Sequence, residues 1–218
     1  KDVKVVLTAE NKKLSNELDG LLNSYRYYLV SEYIYQNYTP LATTDGYDVW
    51  VKNEQYDEML QKIQQVVNDK INIITKDEYI KKDNDTTNLG YIAYVWGKYD
   101  ENQKEKIIQK VETNFELIEE KLIELNVKEI DKKQGNYLKL IIEAPQYANI
   151  SIKLFENEEQ VGEYTFAATK GVNEYIVRCS SIYAWYEKNI NKLEIKSSKE
   201  AKLIDFSILE ANTIKEYK

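Results

Sequence analysis

The sequence predicts an α+β chain, with an N-terminal helical and mixed region followed by an antiparallel β-sandwich of the jelly-roll kind. Three observations lead there. Apolar residues recur at helical spacing through much of the first half. From Val127 onward the spacing becomes two, in short runs separated by polar turns. The composition is that of a folded protein: 43% hydrophobic, 31% charged, with 7 glycines and 2 prolines in 218 residues. That is enough apolar material for a core without staples. The expected division is 1–99 as a mixed region with a hairpin at 41–51, 100–126 as an amphipathic linking or packing helix, and 127–218 as the sandwich.

Val3–Leu7, VKVVL, reads as a short strand. Leu14 to Tyr38 carries leucines and tyrosines three and four apart, which predicts a helix with Asn11 as a candidate cap. Pro40 has no N–H to continue that helix and pushes Thr39 toward extended geometry. Leu41–Thr43 and Tyr47–Val51 flank Asp45-Gly46, a dipeptide suited to a tight hairpin turn. A second helix is expected over Glu54–Lys70. Ile71–Ile80 reads as strand or continued helix, Lys81–Asn88 as loop and Leu89–Trp96 as a strand. The strongest helical pattern runs over Asp100–Leu125, where Ile107, Ile108, Val111, Phe115, Ile118, Leu122 and Leu125 trace one face. Six strands follow: Tyr137–Glu143, Asn149–Phe155, Gln160–Ala168, Glu174–Ser180, Lys192–Ile195 and Lys202–Leu209. Their turns fall at Gly135, Glu156–Glu159, Lys170-Gly171 and Ser197–Lys199.

Several kinds of chemistry are excluded by residue type. There is no histidine, and the one cysteine, Cys179, has no intrachain disulfide partner. Histidine triads, His-containing metal motifs and multi-cysteine sites therefore cannot be built. Glycines are scattered, so no phosphate-cradling loop exists. Asp83, Asn84 and Asp85 lack the remaining ligands of a calcium loop. Asp45, Asp48, Asp77, Glu78 and Asp205 are available carboxylates, and nothing in the sequence pairs any two of them for glycoside hydrolysis. Ser180, Ser181 and Lys188 are near in sequence, as such residues are by chance in a lysine-rich chain. Lys plus Arg is 30 against Asp plus Glu 37, a net charge of -7, with bases spread among acids. This argues against nucleic acid as a partner. No catalytic residue, metal or cofactor is expected.

The 19 tyrosines and 3 tryptophans make carbohydrate the leading ligand class, because a ring face stacks on a sugar while polar neighbours hold its hydroxyls. The local candidate is RCSSIYAW, with Arg178, Tyr183 and Trp185 as ligand-binding residues at a sandwich rim. The competing reading has Trp185 plugging the end of the core, with Tyr183 and Tyr186 over it. The helix tyrosines Tyr25, Tyr27, Tyr28, Tyr33 and Tyr35 cover more than one face, which suits a partner or membrane surface as well as a core edge.

The strand VKVVL, the tyrosine-ended helix and the stretch NYTPLATTDGYDVWVKN together resemble the soluble C-terminal tail of multi-pass membrane glycosyltransferases and related cell-envelope polysaccharide proteins. Tyr33-Ile34, Asn37-Tyr38, Leu41, Gly46-Tyr47 and Val49 occupy the matching positions. LGYIAYVWGKYD and YIVRCSSIYAWY are similar to membrane-anchored envelope proteins that end in a galactose-binding-like jelly roll. The resemblance implies an extracytoplasmic, noncatalytic domain at the cell membrane or surface. Its partners would be a polymeric or polyprenyl-phosphate-linked sugar and the transmembrane portion of the same polypeptide. The family's catalytic carboxylates lie in loops joined to the membrane helices, so none is carried over. The chain starts at Lys1 rather than Met, and the expectation is a piece of something longer. Two alternatives stand beside this reading: a free-standing carbohydrate-binding or adhesion module, and a structural or partner-binding envelope protein.

Overall fold

In the computed structural model, residues 3–9, 17–18, 21–22, 28–66, 70–84, 106–132 and 135–211 are described. The chain divides into two compact units, Lys1–Thr86 and Thr87–Lys218. The expected strand over Leu89–Trp96, the Asn11 cap and the tyrosines Tyr25 and Tyr27 lie outside the described residues.

In the first unit, strands β1 (Val5–Ala9), β4 (Tyr38–Thr44), β5 (Tyr47–Lys52) and β6 (Ile71–Ile73) form one antiparallel sheet in the order β1-β5-β4-β6. Two short strands, β2 (Glu17–Leu18) and β3 (Leu21–Leu22), pair with each other. The long helix expected over Leu14–Tyr38 is thus corrected to its final part, α1 (Tyr28–Asn37). The sequence between β2 and β3 is Asp19-Gly20, the same hairpin signal as Asp45-Gly46, and glycine in a helix interior costs about 1 kcal/mol relative to alanine.

The hairpin of β4 and β5 forms as expected. Asp45 and Gly46 take φ of 41° and 92°, the left-handed geometry that a two-residue hairpin turn requires. Pro40 sits inside β4, where a register shift falls between Pro40 and Ala42. The neighbouring β6 pairs only with Ala42–Thr44, so no partner needs the N–H that proline lacks. One face of this sheet is covered. Trp50, 1% exposed, lies 5.6 Å from the Tyr35 ring and 4.8 Å from the Tyr79 ring, and its Nε1 donates to Thr8 Oγ1 at 2.8 Å.

Helix α2 (Tyr56–Gln64) follows a 3₁₀ turn at Asn53–Gln55 and is shorter than the expected Glu54–Lys70. Helix α3 (Lys76–Asn84) replaces the loop expected from Lys81. Thr75 starts it with a capping box: Glu78 N donates to Thr75 Oγ1 at 3.2 Å, and Thr75 N donates to Glu78 Oε2 at 2.7 Å. Lys82 ties α3 to the hairpin through buried Asp48 at 2.7 Å.

Among its described residues the second unit holds eight antiparallel strands: β7 (Lys106–Glu116), β8 (Lys121–Glu124), β9 (Gly135–Ala144), β10 (Ala148–Glu156), β11 (Glu159–Ala168), β12 (Gly171–Arg178), β13 (Lys192–Ser197) and β14 (Lys202–Ala211). They form two four-stranded sheets in the orders β12-β9-β14-β7 and β11-β10-β13-β8. The pairings are nested: β7 with β14, β8 with β13, β9 with β12 and β10 with β11. Six of the strands are those expected from the period-two runs.

The helix expected over Asp100–Leu125 is overturned, since that stretch supplies β7 and β8. Leu117, Ile123 and Leu125 are buried while Ile118 and Leu122 are exposed, so the helical stripe is not the buried set. The Glu- and Lys-rich composition favours a helix locally, but β13 and β14 offer open sheet edges, and sheet pairing outweighs that preference. As an edge strand β7 carries lysines and a bulge. Asn114 has φ 151° where β14 shifts register between Leu203 and Asp205, and Thr113 Oγ1 donates to the Ile204 carbonyl at 2.5 Å.

The sandwich core lies between the sheets. Leu138, Leu140, Ile142 and Ala144 alternate inward on β9, facing Ile150, Ile152 and Leu154 of β10 and Tyr164 and Phe166 of β11, all at most 3% exposed. Phe166 touches Tyr175 of the opposite sheet at 5.0 Å between ring centroids. Burying side chains of this size contributes about 1.5–3 kcal/mol each.

Candidate functional site

The structure brings Arg178, Tyr183 and Trp185 to one end of the sandwich and buries all three, at 1%, 0% and 1% exposure. A 3₁₀ turn (Cys179–Ser181) and a short helix α4 (Tyr183–Glu187) follow β12 and enter the gap between the sheets. Gly162 makes room for this segment: a β-carbon there would lie 2.7 Å from Ile182 Cδ1. Tyr164 Oη donates to the Cys179 carbonyl at 2.7 Å, tying the segment to β11. Trp185 Nε1 donates to Asn136 Oδ1 at 2.9 Å, tying it to β9. Asn136 Nδ2 finds no acceptor among the described residues.

Arg178 lies opposite Tyr137 in the β12–β9 register, on the face turned away from the sandwich core. Its guanidinium sits 5.1 Å from the Tyr137 ring centroid, and its Nη1 donates to Tyr137 Oη. Tyr137 also packs with Ile176 and Leu209 in a buried apolar cluster. These contacts hold the end of the sandwich together, and no ring face of Tyr183 or Trp185 is presented to solvent. Lys132 lies 6.0 Å from the Trp185 ring centroid and donates to the Lys188 carbonyl. Burial lowers its pKa, with Glu156 and Glu187 pulling the other way. Burial pushes the Cys179 thiol far up, so it stays protonated and inert.

The outward face of the second sheet is closed by its own charges. Lys153 pairs with Glu194 at 2.9 Å, Lys192 with Glu158 at 3.3 Å and Lys196 with Glu120 at 3.1 Å. Ser151 donates to Glu163, and Lys192 also lies over the Phe155 ring. A sugar laid there would have to break these contacts.

The opposite end of the sandwich, away from Trp185, is different. An open depression of about 430 Å³ is lined by the ends of β7 and β9, the start of β12 and the start of β14. Its ionisable side chains are Glu116, Glu143, Glu200, Lys170 and Lys202. Among the described residues none of the five side chains makes an ion pair or hydrogen bond. Sequence reading missed this group. The available signal was charge beside the predicted turns at Lys170-Gly171 and Ser197–Lys199, and only the strand order shows that these turns share one end. Among the described residues no cluster of acidic, cysteine or histidine side chains is arranged to hold a metal, and no helix is long and apolar enough to cross a membrane.

No family model matches the chain, and no curated protein matches it.

Proposed function

We propose that the chain is a noncatalytic extracytoplasmic domain of a membrane-associated glycan-handling protein, which positions or helps bind a lipid-linked or polymeric sugar. The observation that carries this reading is the folding of the stretch on which the resemblance to glycosyltransferase tails rests. From Tyr33 to Asn53 it runs as a helix end, a strand, a positive-φ Asp-Gly turn and a returning strand. Asn37 and Tyr38 stand at the helix-to-strand junction, and Gly46 and Tyr47 at the turn, so four of the matched positions fall where the chain changes direction.

The second unit supports the same reading. Nested pairing of eight strands among the described residues, with every consecutive connection crossing between the sheets except β10 to β11, supports a jelly-roll reading of the sandwich. Such an arrangement presents loops at both ends of a rigid core, surfaces on which a sugar can be held. Three of the carboxylates considered for hydrolysis already have partners. Asp48 is committed to Lys82, Asp205 lies 3.1 Å from Lys110, and Glu78 is engaged in its cap.

The reading is tested in the gene. Hydrophobic spans of about 20 residues encoded beside this chain are expected. A complete reading frame without them contradicts membrane attachment and favours a free-standing carbohydrate-binding module.

A further inference from the structure

The charged depression is built differently from the rest of the sandwich surface. In register across the first sheet, Glu116 of β7, Lys202 of β14 and Glu143 of β9 stand side by side. An ammonium therefore lies between two carboxylates on neighbouring strands, yet it pairs with neither. Adjacent strands are about 4.8 Å apart, comparable with the length that one pyranose adds to a sugar chain. The row thus offers acceptor, donor and acceptor at sugar-ring spacing. Sugar hydroxyls both donate and accept, so a neutral saccharide satisfies all three groups without bringing an uncompensated charge.

The walls are preformed. Leu117 N donates to the Ala201 carbonyl at 2.8 Å and Ser197 N to the Leu117 carbonyl at 2.8 Å, fixing the loop before β14. Asn173 Nδ2 donates to the Thr169 carbonyl at 3.2 Å, and Thr169 N donates to Tyr175 Oη at 2.8 Å, fixing the turn before β12. Gly171 closes that turn with φ 105°, a conformation that side chains with a β-carbon rarely adopt. Pro145 adds an apolar surface to the lining. A preformed concavity with convergent polar groups and an apolar wall is the general form of a small-ligand site.

We infer that this end of the sandwich is a saccharide-binding site, in which an oligosaccharide lies across β7, β14 and β9 with Lys202 as the central donor and Glu116 and Glu143 as acceptors. This rests on the glycan reading and locates its contact surface. Metal coordination is not part of it, since the acidic groups here are not arranged as a ligand set among the described residues.

The test is an amide-resolved NMR titration of the whole chain with cellotetraose, maltotetraose, chitotetraose and mannotetraose. At least one is expected to bind with Kd on the order of 1 mM. Its shifts should centre on Glu143, Gly171, Ala201 and Lys202, and leave Trp185 Nε1 unmoved. Lys202→Ala and Glu143→Gln, both at the surface, should keep the spectrum dispersed and weaken binding about tenfold. Binding that maps elsewhere, or that survives both substitutions unchanged, overturns the site and leaves the glycan reading intact. No shift with any of the four overturns the site as well. The membrane attachment that the wider reading requires is judged separately, from the gene.

Discussion

Replacing Trp185 distinguishes a core plug from a ligand platform. The side chain is 1% exposed, and its Nε1 donates to Asn136 Oδ1 at 2.9 Å in a pocket where Asn136 Nδ2 has no acceptor among the described residues. Trp185→Ala removes the ring from a closed core end, a change that costs about 3–5 kcal/mol. Trp185→Phe keeps most of the packing but leaves the Asn136 amide without its oxygen's donor, about 1–3 kcal/mol for a buried orphaned group. Against a total stability of about 5–15 kcal/mol both are large. The assay is urea unfolding followed by far-UV circular dichroism, which does not depend on the fluorescence of the residue removed. The expected order is wild type, then Trp185→Phe, then Trp185→Ala, with unchanged m-values. If both variants lose less than about 0.5 kcal/mol, the range of a surface substitution, Trp185 is not a plug and the reasoning fails.

Three further outcomes are expected. Gly46→Val in the hairpin turn, where φ is 92°, should destabilise the first unit by about 1–2 kcal/mol, read as a lower urea midpoint; an unchanged midpoint refutes the positive-φ turn. Cys179 should resist a thiol reagent at pH 8 in the native protein and react promptly in denaturant, because burial raises its pKa; fast native labelling contradicts its burial. Hydrogen bonds from the Thr75 backbone and side chain lower the Glu78 pKa below its ordinary 4.5, so its stabilising effect is present above that value and is lost as pH falls through the folded value. Glu78→Gln should accordingly be less stable than wild type at pH 7, with the difference closing well below pH 4.5; a difference independent of pH refutes the cap's role.

The sandwich was legible where sequence pattern and environment agree. On β10 and β13 the alternation in the sequence matches alternation in burial, while residues 175–178 of β12 and 206–209 of β14 are buried on both faces and are still legible as apolar runs between turn signals. The hairpin at Asp45-Gly46 was legible for a local reason, since the dipeptide itself supplies the turn. Lys106–Glu124 was misread because its Ile, Val and Leu positions happen to fit helical spacing and its Glu and Lys content adds helical propensity. The deciding factor was the open edges of β13 and β14, which are far away in sequence. The candidate site stayed open between two readings for a related reason. The rings of RCSSIYAW are the chemistry a sugar would use, and equally the chemistry that fills a core end. Burial separates the two uses, and burial depends on where Gly162 and Ile182 meet. The depression's charges carry no local motif at all: Glu116, Glu143, Lys170 and Lys202 come together only through the nested strand order.

The most direct test of the central claim, an extracytoplasmic glycan-handling domain attached to a membrane, uses the Asn157-Glu158 turn. Both residues are exposed between β10 and β11 and are held by Asn191 and Lys192, so a specific protease site is inserted between them with flexible flanks and retention of the fold is checked by circular dichroism. In the full gene product, protease added outside intact cells should cut at this site, with the tagged protein remaining in the membrane fraction. Cutting only after the cells are lysed, or recovery of the uncut product from the soluble fraction, would contradict the account.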